Sequence, residues 1–220
     1  MPVIPETQST LRDLQTDTEE KILDAALTVF SMKGKDGART QEIADLAGAN
    51  KALLHYYFRS KDRLYERVFD HVLDKLIRSF GPALEGTPPF VTLLRAFIDT
   101  YVDFVSENLP VMRLMIMEHL SGGTQVAIRL KSMMDSEGAP PRVFIQSMTE
   151  AVERGEIRRV DPLQTLITLI SSCIFSFVVF PTIEAIVPLA ASDRSAFIEQ
   201  RKDHIHDLIV RSLRAEAART

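Results

Sequence analysis

The chain has 220 residues, 45% apolar and 25% charged, which is ordinary globular composition and enough for one large domain or two small ones. Nine Gly and eleven Pro exclude a collagenous or disordered chain, and a net charge of −4 excludes a uniformly basic nucleic-acid coat. The single cysteine, Cys173, excludes an intrachain disulfide.

Residues 1 to about 16 are polar, carry two prolines and lack the apolar core of a signal peptide. They are expected to form a short flexible tail, taken as residues 1–17. A first helix is expected from Thr16 or Thr18, where Thr16 and Glu19 have capping-box spacing. Its apolar face comprises Ile22, Leu23, Ala26, Val29 and Phe30. Gly34 and Gly37 end it, and the lysines of the intervening turn either reach phosphate or sit in a solvated loop.

From Thr40 to Lys61 the sequence TQEIADLAGANKALLHYYFRSK reads as helix, turn, helix. Thr40 is the expected N-cap of the first helix and Gly48 its left-handed stop. Asn50 is the expected cap of the second helix, near Lys51–Tyr57. Ile43, Leu46, Leu54 and Phe58 would hold the pair together. Gln41, Asn50, Lys51, Leu53, His55, Tyr56 and Tyr57 remain outside, a set of donors, acceptors, a cation and aromatic hydroxyls suited to base edges and phosphates. Thr40 and Gln41 open the first short helix, where terminal amides favour a phosphate. Between Lys33 and Lys75, nine Lys and Arg stand against seven Asp and Glu, a local net of +2.

These residues resemble the TetR family of bacterial transcriptional repressors. The likeness lies in T-x-x-I-A-x-x-A-G-A-N-K-A-L-L-H-Y-Y-F-R-S-K-D-R-L, preceded by A-A-L-x-V-F-x-x-K-G, and is close from Glu19 to Leu64. Two positions depart from the family pattern: Asn50 replaces the usual Ser or Thr, and His55 a common Tyr. Both bear on which operator is read. The resemblance implies an all-α protein, with an N-terminal three-helix head at residues 18–64 and a C-terminal helical ligand-binding and dimerisation domain at residues 65–220. It also implies that Lys61 meets a DNA phosphate.

Ser60 is the expected cap of a long helix from Lys61 to about Phe80. After a Gly/Pro-rich connection, Leu93 to Val105 form a strongly apolar helix. Val111 to Leu120 is methionine-rich, fitting either a small-molecule pocket or plain core. Further helices are expected from Thr124 to about Ser136 and from Arg142 to Arg154. The run G-E-I-R-R-V-D-P then leads into a new helix with proline in its first turn, and this pattern is similar to TetR-family regulatory domains.

Leu163 to Ile183 carries no charge over 21 residues, long enough to span a bilayer. Its seven Ser, Thr and Gln residues, and the amphipathic character of every other helix, favour a bundle helix buried by its own subunit and by a second one. Cys173 lies in this run, as a buried thiol or a redox sensor. The last helix, about Ser192 to Arg214, carries an apolar stripe. The resemblance implies that the last two long helices pair across a twofold axis into a homodimer on a near-palindromic operator.

The five histidines form no chelating pair and no catalytic constellation is visible, so no enzyme, metal site or cofactor is expected. The expected partners are double-stranded DNA, a second copy of the chain and a small hydrophobic effector. No membrane is expected, and the default compartment is the reducing cytoplasm. The resemblance implies an effector site in the C-terminal domain, with Phe97, Tyr101, Met112, Met115, Phe144, Met148, Phe175 and Phe177 as candidate lining groups for an apolar or aromatic molecule.

Overall fold

The computed structural model describes residues 6–84, 86, 88–135, 138–186 and 194–214, with side chains from residue 17 onward. Ten α-helices and no strand occur among the described residues. They are α1 Glu6–Gly37, α2 Thr40–Leu46, α3 Lys51–Phe58, α4 Lys61–Ser79, α5 Phe90–Glu107, α6 Leu109–Leu120, α7 Thr124–Met134, α8 Pro140–Glu153, α9 Pro162–Ile186 and α10 Arg194–Leu213, with a 3-10 turn at Pro82–Leu84. The expected ends near Ser136 and Ser192, and residues 1–5 of the tail, lie outside the described residues. Helix α1 begins at Glu6, ten residues before the earlier expected start, because nothing in the polar segment breaks a helix after Pro5.

Two compact units are present, one of residues 1–74 and 110–130, the other of residues 75–109 and 131–220. The first unit thus gathers the helix-turn-helix segment with α6 and most of α7. Its core contains Ile22, Ala26 and Phe30 of α1, Ile43 and Ala44 of α2, Leu54 and Phe58 of α3, and Leu64, Val68 and Phe69 of α4. Phe30 and Phe69 both meet Tyr65 edge-on, with ring centroids 5.0 and 5.1 Å apart. Polar bonds tie α4 to its neighbours. Arg67 pairs with Glu19 of α1 at 2.8 Å, and His71 lies 3.0 Å from Asp24. From α7, Arg129 reaches the Asp70 carboxylate at 2.9 Å and the Glu66 carbonyl at 3.1 Å. Gly34 breaks α1 at φ 67, and a Cβ there would come within 3.2 Å of Met117 Cε on α6.

In the second unit, α5 packs against α8, α9 and α10. Phe90, Leu94, Phe97 and Ile98 are buried along α5, Phe144 and Met148 on α8, Leu169, Cys173 and Phe177 on α9, and Ile205, Ile209 and Leu213 on α10. Helix α9 is long and apolar enough to cross a membrane. One flank of it packs within this bundle, as expected of a bundle helix. Cys173 is fully buried, and burial pushes its thiol up to about 12, opposed by the nearby Arg201 charge. That favours the buried-thiol reading over a redox sensor, since the reactive thiolate is disfavoured.

Candidate nucleic-acid interface

The turn between α2 and α3 forms as its residue types dictate. Gly48 adopts φ 66, where a side chain would be strained. Asn50 is extended, and its side-chain oxygen accepts the Leu53 amide at 2.8 Å, capping α3. Removing this cap by Asn50→Ala should destabilise the protein by about 1 kcal/mol in urea unfolding.

Two expectations fail locally. The N-cap of α2 is Arg39, not Thr40: the chain is still extended at Arg39 (φ −109, ψ 131) and helical from Thr40, with no side-chain bond at the cap. Leu46 is 57% exposed and does not join the core. It is the last residue of α2, and Ile43 and Ala44 occupy the inward face.

The predicted outward set is largely outward. Gln41, Asn50, Lys51, His55 and Tyr56 are exposed, while Thr40, Leu53, Tyr57 and Lys61 are half-buried. Gln41 donates to Asp45 at 2.7 Å, which orients its amide. Tyr56 is 62% exposed, and its ring meets Tyr57 edge-on at 5.4 Å. Lys61 donates to the carbonyls of Asp36 and Ala38 at 3.2 and 3.3 Å, closing the end of α1. The turn lysines are paired too, Lys33 with Glu42 and Lys35 with Asp62. Ser60 caps α4 as expected, accepting the Arg63 amide at 3.1 Å.

The predicted effector residues divide. Phe97, Tyr101 and Phe144 form one aromatic cluster with Phe80 and Phe90 in the second unit. Phe97 lies 4.7 Å from Phe144, 4.9 Å from Phe80 and 5.8 Å from Tyr101, ring centre to ring centre. Burial holds the Tyr101 hydroxyl above the usual tyrosine range, with Cys173 adding repulsion. Met148 and Phe177 are buried in the same unit. Met112 and Met115 belong to the first unit, on α6. Phe175 is 62% exposed on α9, so it lies outside the cluster. A groove of about 350 Å³ in the second unit is lined by other residues, among them Arg158, Arg159, Asp161, Thr165 and Ser212.

Sequence reasoning missed Glu118. It is buried, and accepts the Tyr65 hydroxyl at 2.9 Å and the Gln125 amide at 2.8 Å. The Tyr65 hydroxyl is held well above its ordinary range, first by burial and then by the Glu118 carboxylate. An acidic residue next to a histidine carries no signal of such a bridge.

A capped helix-turn-helix on a small helical core, joined in one chain to a helical bundle, defines an all-α helix-turn-helix protein. Residues 22–68 match the family model "Bacterial regulatory proteins, tetR family", and residues 91–209 match "Tetracyclin repressor-like, C-terminal domain". The chain belongs to the TetR family of DNA-binding transcriptional regulators, and is therefore not an enzyme. It is similar to the HTH-type transcriptional regulator RutR of Escherichia coli strain K12, 28% identical over 201 residues, covering 89% of this chain and 90% of RutR. The HTH-type transcriptional repressor NicS of Pseudomonas putida is 41% identical over 63 residues, 28% of this chain and 30% of NicS. Among solved structures, the TetR family regulator PfmR of Thermus thermophilus superposes with a TM-score of 0.62 at 24% identity, covering 86% of this chain and 97% of PfmR. A TetR-like regulator from Rhodococcus sp. gives 0.64 at 15% identity, covering 89% and 94%. These two likenesses concern the fold.

Proposed function

We propose that this chain is a cytoplasmic homodimeric repressor that pairs through α9 and α10, reads a near-palindromic operator with its two heads, and is released by a small apolar or aromatic molecule. One observation carries the reading. Helix α9 buries Leu166, Leu169, Cys173 and Phe177 on one flank and exposes Leu163, Ile167, Phe175, Val178 and Ile186 on the other. The exposed positions follow helical spacing, and Leu208 is exposed on the adjoining α10. Long apolar patches on soluble proteins mark interaction sites. A second copy covering this flank gives a self-complementary contact with twofold symmetry, which matches a twofold operator. Light scattering tests the pairing. A mass near twice the 24.8 kDa of one chain is expected, and a monomer at micromolar concentration removes the reading.

Within each head, Lys51 and Tyr57 are assigned to DNA, with Thr40, Gln41, Asn50, Leu53, His55, Tyr56 and Lys61 around them. Lys51→Ala and Tyr57→Phe should each weaken operator binding about tenfold, with the helical circular dichroism and the dimer intact. Unchanged affinity in both would remove these residues from the site.

The effector assignment rests on the cluster of Phe80, Phe97, Tyr101 and Phe144, where the Phe97 and Tyr101 rings lie parallel with Phe80 and Phe144 tilted against Phe97, an aromatic surface suited to a flat apolar ligand. The close burial of Phe144 and Met148, both 0% exposed, favours a second reading: a DNA-binding dimer with no effector. A panel of small aromatic compounds added to the protein–operator complex separates the two. Release by a panel member at micromolar concentration supports the first reading, and uniform retention supports the second.

A further inference from the structure

We infer that Arg59 is a phosphate-binding residue of the head and the residue that positions Tyr56, held in place by a strained γ-turn at the end of α3; this rests on the DNA-binding reading of the head. Helix α3 ends at Phe58, and α4 begins at Lys61. Between them the Ser60 amide donates to the Phe58 carbonyl at 2.6 Å, bridging the single residue Arg59 at φ 63, ψ −43. A three-residue turn with a positive φ at its centre is rare and costly. Among the described residues Arg59 is the one non-glycine residue with positive φ. Glycine would adopt this conformation without steric cost. The chain places an arginine there, and strained backbone of this kind gathers at functional sites.

The turn has two consequences. It reverses the chain in one residue, so Ser60 is free to cap α4 at once. It also brings the Arg59 guanidinium back over the last turn of α3, 5.8 Å from the centre of the Tyr56 ring. Tyr56 is therefore fixed on one side by the guanidinium and at its edge by Tyr57. At this distance the guanidinium is attracted to the aromatic face, and its planar fork of N–H donors remains available to a further partner. Those donors match a phosphate, which takes two parallel bonds from arginine.

The charge balance of the unit points the same way. Lys33, Lys35 and Arg67 are neutralised by Glu42, Asp62 and Glu19. Among the described residues Arg59, like Arg39, Lys51 and Arg63, has no carboxylate partner within salt-bridge distance, and it is exposed beside the exposed Tyr56. A cation kept unpaired at the end of the reading helix, on backbone that disfavours it, is explained by a partner outside the chain. The backbone of duplex DNA supplies that partner.

The test measures affinity for a duplex enriched from a random pool, over a range of salt, for the full chain and its variants. Arg59→Gly should keep or raise the thermal midpoint, since glycine relaxes the turn, while affinity falls about tenfold. For a dimer with one contact per head, the slope of log affinity against log salt should fall by about two. Arg59→Lys should keep the slope and lose affinity a few-fold, because lysine carries the charge without the planar fork of donors. Losses from Arg59→Ala and Tyr56→Ala should be non-additive, which marks coupling between the two side chains. Arg59→Gly with wild-type affinity and salt slope would overturn the inference and leave the residue a turn-former only. Wild-type protein that enriches no duplex fails earlier, and overturns the underlying reading of the head together with this one.

Discussion

Phe175→Glu should convert the protein from dimer to monomer and reduce operator affinity by a hundredfold or more. Phe175 sits in the middle of the exposed flank of α9, between Ile167 and Val178, and is 62% exposed within one subunit. A carboxylate there costs the subunit little, because the position faces solvent. In the proposed dimer the same carboxylate, with its counterpart across the twofold axis, would be buried in an apolar seam without a partner. DNA affinity follows from geometry. Two linked heads bind one operator with an effective concentration that raises avidity by about 10² to 10⁴ over a single head, and dissociation forfeits that gain. Light scattering and operator titration on the same sample check both parts. A variant that stays dimeric and binds normally would place the pairing surface elsewhere.

Glu118→Ala should destabilise the unit that carries the head by about 3 kcal/mol, far more than a surface carboxylate would. Its two oxygens are committed, one to the Tyr65 hydroxyl of α4 and the other to the Gln125 amide at the start of α7. Truncation strands a buried phenol and a helix-start amide at once, each costing about 1 to 3 kcal/mol. Glu118→Gln keeps one acceptor oxygen and should lose less. Tyr65→Phe removes the donor together with its ring hydroxyl, leaves the Gln125 bond intact, and should fall between the two. Urea unfolding of the three variants gives the order, and wild-type stability in all three would mean that Glu118 is solvated in place.

What could be read from the sequence was local. Gly48, the Asn50 cap and the Ser60 cap each depend on residues within three positions, so residue type alone dictates them. Ile43, Leu54 and Phe58 were legible because helical spacing puts them on one face. Leu46 obeys the same spacing, yet it falls at the end of a seven-residue helix where nothing covers it. The Glu118–Tyr65 bond joins residues 53 positions apart, and no pattern in either segment announces the other. The γ-turn at Arg59 was invisible for a different reason: positive φ is signalled by glycine or asparagine, and arginine gives no such sign. In the candidate effector site, composition marked the aromatic residues. Only packing could separate Phe97, Tyr101 and Phe144, which meet, from Phe175, which faces outward.

The most direct test of the central proposal is selection of bound duplexes from a random DNA pool by the purified protein, followed by sequencing and a check of binding at two salt concentrations. Enrichment of two inverted half-sites at one fixed spacing is expected, bound by a dimer with affinity that falls steeply as salt rises. Enrichment of a lone half-site, or of no sequence at all, would contradict it.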